Sequence, residues 1–347
     1  MAKVVMIADT HWGCRNDNPN FYDYQQKFIS NVFIPYLKKF KIKHVVHLGD
    51  LVDNRKQINV QTGSRLREDF LEPLNALEID VMFIAGNHDV YYKTSNRINA
   101  LREIVDGKYN IKLYDNLPTE VMIDGTKILM VPWISPENRE ASLRWIEASN
   151  TKYCMAHLEL KGFEQTKGRL ASHGDNYELF QKFDAVFSGH YHIRSNRNNI
   201  YYIGSAFHFN WGDYSNFAGF MVLDTDTGER VWIKNPYKIF TKFEYDEDSI
   251  PDVAEAKDTY CRVNVVNKTS ESKFNDFIDK INELGVIDLL IDEKVAPVEI
   301  GQEETEEEIS DDTLELFRKA ISKLDVSDRE ELQLLTEEIY KEALEVN

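Results

Sequence analysis

The chain has 347 residues, with 59 Asp and Glu against 41 Lys and Arg, a formal net charge of −18 and 42% hydrophobic residues. That length exceeds one ordinary domain, so a large core with one or two appendages is expected, and the composition is that of a soluble globular protein. The charge argues against a surface that attracts polyanions everywhere. However, 17 acidic and 5 basic residues fall between Glu299 and Asn347, so −12 of the −18 belongs to the C-terminal segment.

The apolar residues 1–8 are too few for a signal peptide or a membrane span and run directly into Asp9-Thr10-His11, so they read as a first strand. No membrane association is expected, and the location is cytoplasmic. Cys14, Cys154 and Cys261, odd in number and scattered, read as free thiols of a reducing compartment. Short apolar runs at 3–8, 45–48, 81–85, 153–156 and 185–187 each end at a metal-type residue or at the glycine before one. Helical patterns at 22–40, 62–77, 96–105 and 138–148 lie between or beside them. This alternation predicts an α/β fold with its chemistry at the carboxyl ends of successive strands. Residues 127–133, 200–203, 219–223 and 231–233 lack intervening helices and read as antiparallel additions, which favours a two-sheet sandwich flanked by helices.

Beyond residue 240 the pattern changes. Strands at 260–266 and 286–291 around a helix at 273–284 predict a small α+β domain over residues 241–298, leaving 1–240 as the core. Residues 299–312 form an acidic linker. In 313–347, one helix places Leu314, Phe317, Ile321 and Leu324 on a single face, and a second opens with the capping box Ser327 and Glu330 and aligns Leu332, Leu335 and Ile339. So short a pair has little core of its own, so its apolar faces are expected to cover a partner protein.

Five fragments in order carry the chemistry: Asp9-Thr10-His11, Gly49-Asp50-Leu51-Val52-Asp53, Gly86-Asn87-His88-Asp89, a lone His157, and Gly189-His190-Tyr191-His192. Taken singly, each has an ordinary structural explanation as a turn or a satisfied histidine. Together, each at the end of an apolar run, they offer the carboxylate, amide and imidazole donors that hard and borderline divalent cations share. Alternate spacing lets Asp9 and His11, or His190 and His192, reach the same ion. The expected chemistry is hydrolysis of phosphate esters by two cations roughly 3.5 to 4 Å apart, with no covalent intermediate and no role for Cys14.

The pattern DxH, GDxxD, GNHD, H, GHxH over residues 9–192 resembles the calcineurin-like metallophosphoesterase superfamily. Val131-Pro132-Trp133, His157 to Phe163, Ser172-His173-Gly174, Ser188-Gly189-His190 and Tyr202 to Ser205 bring it nearer to the DNA repair nucleases of the SbcD and meiotic-recombination-eleven type, particularly their phage branch. That resemblance implies Asp9, His11, Asp50 and His192 around one metal and Asp50, Asn87, His157 and His190 around the other, with two Mn²⁺, or Mg²⁺, per chain. It implies His88 as a catalytic group outside the metal shell, tuned by Asp53 or, second, by Asp89. It further implies a Mn²⁺-dependent DNA exonuclease and endonuclease for recombination and double-strand-break processing. The small domain would cap the site and help hold DNA, the helix pair would grip an SbcC-type coiled-coil ATPase, and a homodimer would form through helices between residues 62 and 105. For a phage protein the compartment would be the host cytoplasm. The five fragments alone equally fit a phosphatase or cyclic-nucleotide phosphodiesterase. Several family nucleases carry a histidine where Asp53 stands, and cellular relatives tend to carry a proline and an arginine in the stretch 206–209 that here includes His208. His173 is the rival of His157 for the fourth fragment, but it follows a loop rather than a strand.

Overall fold

The computed structural model of the chain describes residues 3–293 and residue 321. Two six-stranded sheets face each other. The first runs Arg230–Lys234, Gly219–Asp224, Lys3–Ile7, His44–His47, Asp80–Ile84, Ile111–Tyr114. Its last four strands are parallel, and Gly219–Asp224 and Arg230–Lys234 extend it antiparallel. The second sheet runs Ser195–Arg197, Ile200–Tyr202, Ala185–Gly189, Tyr153–His157, Thr126–Val131, Thr119–Ile123. Strict alternation sorts the side chains: Val4, Met6 and Ala8 enter the core between the sheets, while Val5 and Ile7 face the helices packed outside. This is the two-sheet α/β sandwich that the sequence pattern predicts.

Two strands expected to be purely antiparallel are mixed. Thr126–Val131 is antiparallel to Thr119–Ile123 but parallel to Tyr153–His157, and Ile200–Tyr202 is antiparallel to Ser195–Arg197 but parallel to Ala185–Gly189. Each joins its antiparallel neighbour through a tight turn, as at Asp124 and Gly125 with φ of 42° and 83°, which suits a two-residue hairpin. The crossover helix Arg139–Ala148 then returns the chain in parallel.

The expected helix at 22–40 begins at Pro19, where the Asn18 side chain accepts the Asn20 N–H. It and the helix expected at 62–77 each contain one π turn, Ile29–Phe33 and Arg67–Leu71. In both, the residue before a proline donates five positions back, Ile34 to Ile29 O and Glu72 to Arg67 O. Pro35 and Pro73 have no N–H and crowd the carbonyl four residues earlier, so the widened turn lets the helix continue. The helix expected at 96–105 is only half present. Val90–Tyr92 and Ser95–Asn99 form a hairpin and the helix is Ala100–Ile104, because Asn99 caps it by accepting the Arg102 N–H.

Phe240–Asp246, Tyr260–Asn267 and Asp288–Glu293 make a three-stranded parallel sheet covered by the helix Glu271–Glu283. Tyr245, Val263, Phe274, Phe277 and Ile281 give it a core of its own. The first strand of this sheet has no counterpart in the sequence-based expectation. The compact unit that includes it runs to Glu293. The acidic linker and Leu314, Phe317, Leu332, Leu335 and Ile339 lie outside the described residues; Ile321 alone is described, helical and buried. Among the described residues no helix is long and apolar enough to cross a membrane.

Candidate metal centre

The loops after Ile7 and His47 are laced together by backbone hydrogen bonds. Asp9 N–H donates to Gly49 O (3.0 Å), His11 N–H to Asp50 O (3.1 Å), Trp12 N–H to Leu51 O (2.9 Å) and Asp53 N–H to Trp12 O (3.0 Å). The neighbouring loop is fastened to them by Asp89. Its buried carboxylate accepts the N–H groups of Asp50, Leu51, Val52 and Gly86 at 2.8–3.3 Å. A Cβ at Gly86 would lie 2.1 Å from Asp50 Oδ1, and one at Gly49 would lie 2.3 Å from His157 Nδ1. Only glycine permits these approaches. Asp9, His11, Asp50 and His190 all have positive φ, of 51°, 44°, 57° and 90°, a conformation that costs non-glycine residues free energy and is held by the surrounding lacing.

All seven expected ligands converge here. His11 Nε2 and His192 Nε2 are 3.1 Å apart, and Asn87 Oδ1 lies 2.9 Å from His157 Nε2 and 2.8 Å from His190 Nδ1. Asp50 Oδ2 stands between the two groups, 3.7 Å from His11 Nε2 and 3.4 Å from His157 Nε2, the position of a shared carboxylate. Donor atoms of Asp9, His11 and His192, and separately of Asp50, His157 and His190, lie within 4.8 Å of one another. Asp9 and Asp50 are fully buried, and among the described residues no lysine or arginine pairs with either. Two buried carboxylates with converging imidazole and amide donors suit divalent cations, which would supply the missing positive charge.

Two of the imidazoles have a close partner on the far side: His157 Nδ1 is 2.7 Å from Leu48 O, and His11 Nδ1 is 3.2 Å from Asp53 Oδ1. Such partners orient the ring and aim the other nitrogen at a metal. His190 Nε2 faces a Glu159 oxygen at 3.9 Å, too far for a hydrogen bond. Asp53 therefore acts through two atoms. Its carboxylate meets His11, and it is its main-chain oxygen that meets His88, 2.6 Å from Nδ1. The Asp53 carboxylate makes no ion pair with His88 within 4 Å, although donor atoms of His11, Asp53 and His88 all lie within 4.8 Å of one another; Asp89, the second candidate, is committed to backbone amides. His88 N–H donates to Asp50 Oδ1 (2.8 Å).

Protonation follows the same geometry. Burial opposes charge on His11, but the hydrogen bond from Asp53 and the charges of Asp50 and Asp9 outweigh it and push it up to about 9. His157 is likewise pushed up to about 9, mainly by Asp50 against its burial. Burial raises Asp9 to about 6 and lowers His190 to about 3. Protons on His11 and His157 thus stand where the centre calls for cationic charge.

His173 is 67% exposed and 3.3 Å from the Glu159 oxygen that also faces His190, and it is not among the converging donor groups, which include His157. His208 is bonded to Asn216 O at 3.0 Å. Sequence reasoning misses Glu159 and the Leu48 carbonyl as supports for the site. It offers Asp89 only as a second partner for His88, and only the folded loops show that its carboxylate points at backbone amides. All three cysteines are free and buried.

The calcineurin-like phosphoesterase family pattern matches residues 2–194. Exonuclease subunit 1 of Enterobacteria phage T4 is 31% identical over 343 residues, covering 98% of this chain and 99% of that protein. Among solved structures, an archaeal phosphodiesterase is 15% identical, covers 67% of this chain and 99% of that one, and has a TM-score of 0.33. A calcineurin-like phosphoesterase from Bacillus subtilis is 14% identical, covers 67% and 88%, and has a TM-score of 0.35.

Proposed function

This chain belongs to the calcineurin-like phosphoesterase family, and from that premise we propose that it is a Mn²⁺-dependent DNA exonuclease and endonuclease, the nuclease subunit of a recombination and double-strand-break processing complex. The observation that carries the reading is the length of its likeness to a phage exonuclease subunit. The family pattern ends at residue 194, yet the likeness covers 98% of the chain and so includes the three-stranded sheet and the acidic C-terminal segment. A compact phosphatase needs neither.

Asp9, His11, Asp50 and His192 would hold one cation and Asp50, Asn87, His157 and His190 the other. Two divalent cations at these donors supply Lewis-acid charge and an acidified water. Asp50 keeps the two donor sets in register, and Asp53 aims His11 through Nδ1. His88, its Nδ1–H held by Asp53 O, exchanges a proton with the departing oxygen at Nε2. The small α+β domain over 241–298 helps hold DNA over this cleft. The segment 313–347, through Leu314, Phe317, Ile321, Leu332, Leu335 and Ile339, docks an SbcC-type ATPase, and a homodimer forms through helices between 62 and 105.

A Mn²⁺ assay comparing linear duplex DNA with p-nitrophenyl phosphate tests the reading. DNA cleavage by the wild type, lost in His88→Ser while two Mn²⁺ remain bound, is the expected result. Faster turnover of the small monoester, with DNA left intact, would favour the phosphatase of the same family, and loss of metal in His88→Ser would overturn the role given to His88.

A further inference from the structure

Away from the metal centre, the open edge of the sandwich carries an unusual group of cations. The outermost strand of the first sheet, Arg230–Lys234, and that of the second, Ser195–Arg197, come together there around a cavity of about 200 Å³ lined by Arg194, Ser195, Asn196, Tyr201, Arg230 and Trp232. The Arg194 guanidinium lies 4.8 Å over the Trp232 ring and that of Arg230 lies 4.5 Å over Tyr201. Neither forms an ion pair with a carboxylate among the described residues, unlike Arg65, Arg67, Arg97, Arg102, Arg139, Arg144 and Arg262 but like Arg15, Arg55, Arg169 and Arg197. What sets Arg194 and Arg230 apart is that they line one cavity together, each stacked on an aromatic ring.

Stacking on an aromatic face holds each guanidinium flat and leaves its N–H edge for a ligand. The other polar atoms agree in sign. Trp232 Nε1 and Ser195 Oγ, both buried, have no hydrogen-bond partner, and no carboxylate lines the cavity. A pocket that offers donors and positive charge and no negative charge selects an anion. Its volume is below that of a drug-sized site and suits one phosphate group rather than a whole nucleotide. The basic, aromatic character continues on either side, with Arg197 4.7 Å over Tyr177 and Lys234 5.2 Å over Phe217.

The edge adjoins the site along the chain. Arg194 follows the candidate ligand His192 by two residues. Ser205 N–H donates to His192 O (3.1 Å), and a Cβ at Gly204 would lie 2.9 Å from both His192 O and Arg194 N, so this segment is packed without slack.

We propose that the pocket of Arg194, Arg230, Ser195 and Trp232 is a phosphate site that engages the backbone of a single DNA strand outside the metal centre. The assignment rests on the nuclease reading. Stacked arginine and aromatic pairs are how single strands are held without sequence preference, and the two guanidiniums would share one backbone phosphate.

The test uses the full-length protein with Arg194→Gln and Arg230→Gln combined, a labelled single-stranded oligonucleotide and, separately, bis-p-nitrophenyl phosphate, a diester with no polynucleotide backbone. The expected result is about tenfold weaker oligonucleotide binding and a salt dependence shallower by about 0.7, for one lost phosphate contact, with Mn²⁺-dependent turnover of the small diester unchanged. The doubly lysine-substituted protein keeps charge and aliphatic cover and is expected to recover most of the salt dependence, so it serves if the glutamine protein fails to fold. Unchanged oligonucleotide affinity in a variant of wild-type melting temperature overturns the proposal. So does a variant that loses only inorganic phosphate binding, which would make the pocket a site for the free ion. Failure of the wild type to cleave DNA at all would instead refute the nuclease reading.

Discussion

The metal centre and the three-stranded sheet at residues 240–293 are built on opposite terms. At the centre, two fully buried carboxylates face each other's field, four ligands stand at positive φ, and three loops are tied by the amides around Asp89. In the sheet, Tyr245, Val263, Phe274, Phe277 and Ile281 pack as an ordinary apolar core, and Asp258 and Gly285 at positive φ are confined to connections. The first region concentrates like charge and backbone strain to create a place for cations; the second holds itself by burial. Substitutions in the first should therefore be read out in metal binding and cleavage, and those in the second in stability.

The sharpest contrast is expected at Asp50. Asp50→Asn keeps the shape and tolerates φ of 57°, but it removes the shared charge. DNA cleavage should fall by at least about a thousandfold, on the order of 4 kcal/mol of barrier, and calorimetric Mn²⁺ binding should drop. Retained Mn²⁺ binding would show that Asp50 is not the shared ligand. In the sheet, Phe277→Ala should cost about 3 to 5 kcal/mol in denaturant unfolding of that region. Because Phe277 belongs to a separate core cluster, bound Mn²⁺ in the folded fraction should not change.

Asp53 sharpens the comparison from inside the centre. Its carboxylate is 3.2 Å from His11 Nδ1 and makes no ion pair with His88, so Asp53→Ala should weaken Mn²⁺ binding about 10- to 100-fold, the usual effect of losing a partner that orients a ligand. Asp53→Asn, which still accepts from Nδ1, should recover part of it. An unchanged metal affinity with a displaced pH–rate profile would return Asp53 to the role of His88's partner.

The convergence of the candidate ligands was legible because each lies at the end of an apolar run, where alternation and glycine leave little freedom. Their supports were not. Leu48 acts through a carbonyl, Asp89 through four amides and Glu159 from a neighbouring loop, and none of these leaves a periodic trace. The same limit explains the hairpin at Val90–Asn99, where Asn96 donates to Asp115 O and Trp133 O across the fold and overrides a helical pattern. It also explains the strand Phe240–Asp246, whose pairing partner Tyr260–Asn267 lies beyond an intervening loop. The sandwich edge of Arg194 and Arg230 was invisible for a related reason, since the two arginines are far apart in sequence and meet only where two edge strands do.

The smallest expected effect lies in the sheet and reverses the electrostatic logic of the centre. Glu247 follows the strand Phe240–Asp246 and closes the start of the helix Glu271–Glu283: its Oε2 accepts from Thr269 N–H (2.7 Å), Thr269 Oγ1 (2.8 Å) and Ser270 N–H (2.8 Å), and Oε1 meets Lys273 Nζ (3.0 Å). The Thr269 hydroxyl, its amide and then Lys273 hold this carboxyl down to about 2. A carboxyl depressed in the folded state stabilises it only while ionised, so the contribution is complete above the unfolded value of about 4.3 and is lost as the pH falls through about 2. Thermal melting of wild type and Glu247→Gln should thus differ by a few degrees at most at pH 7 and converge as the pH is lowered from about 4.3 towards 2. Curves that stay parallel over that window would show that the Glu247 contacts act through shape and hydrogen bonding alone, and the charge of this carboxylate would then play no part in holding the helix to its sheet.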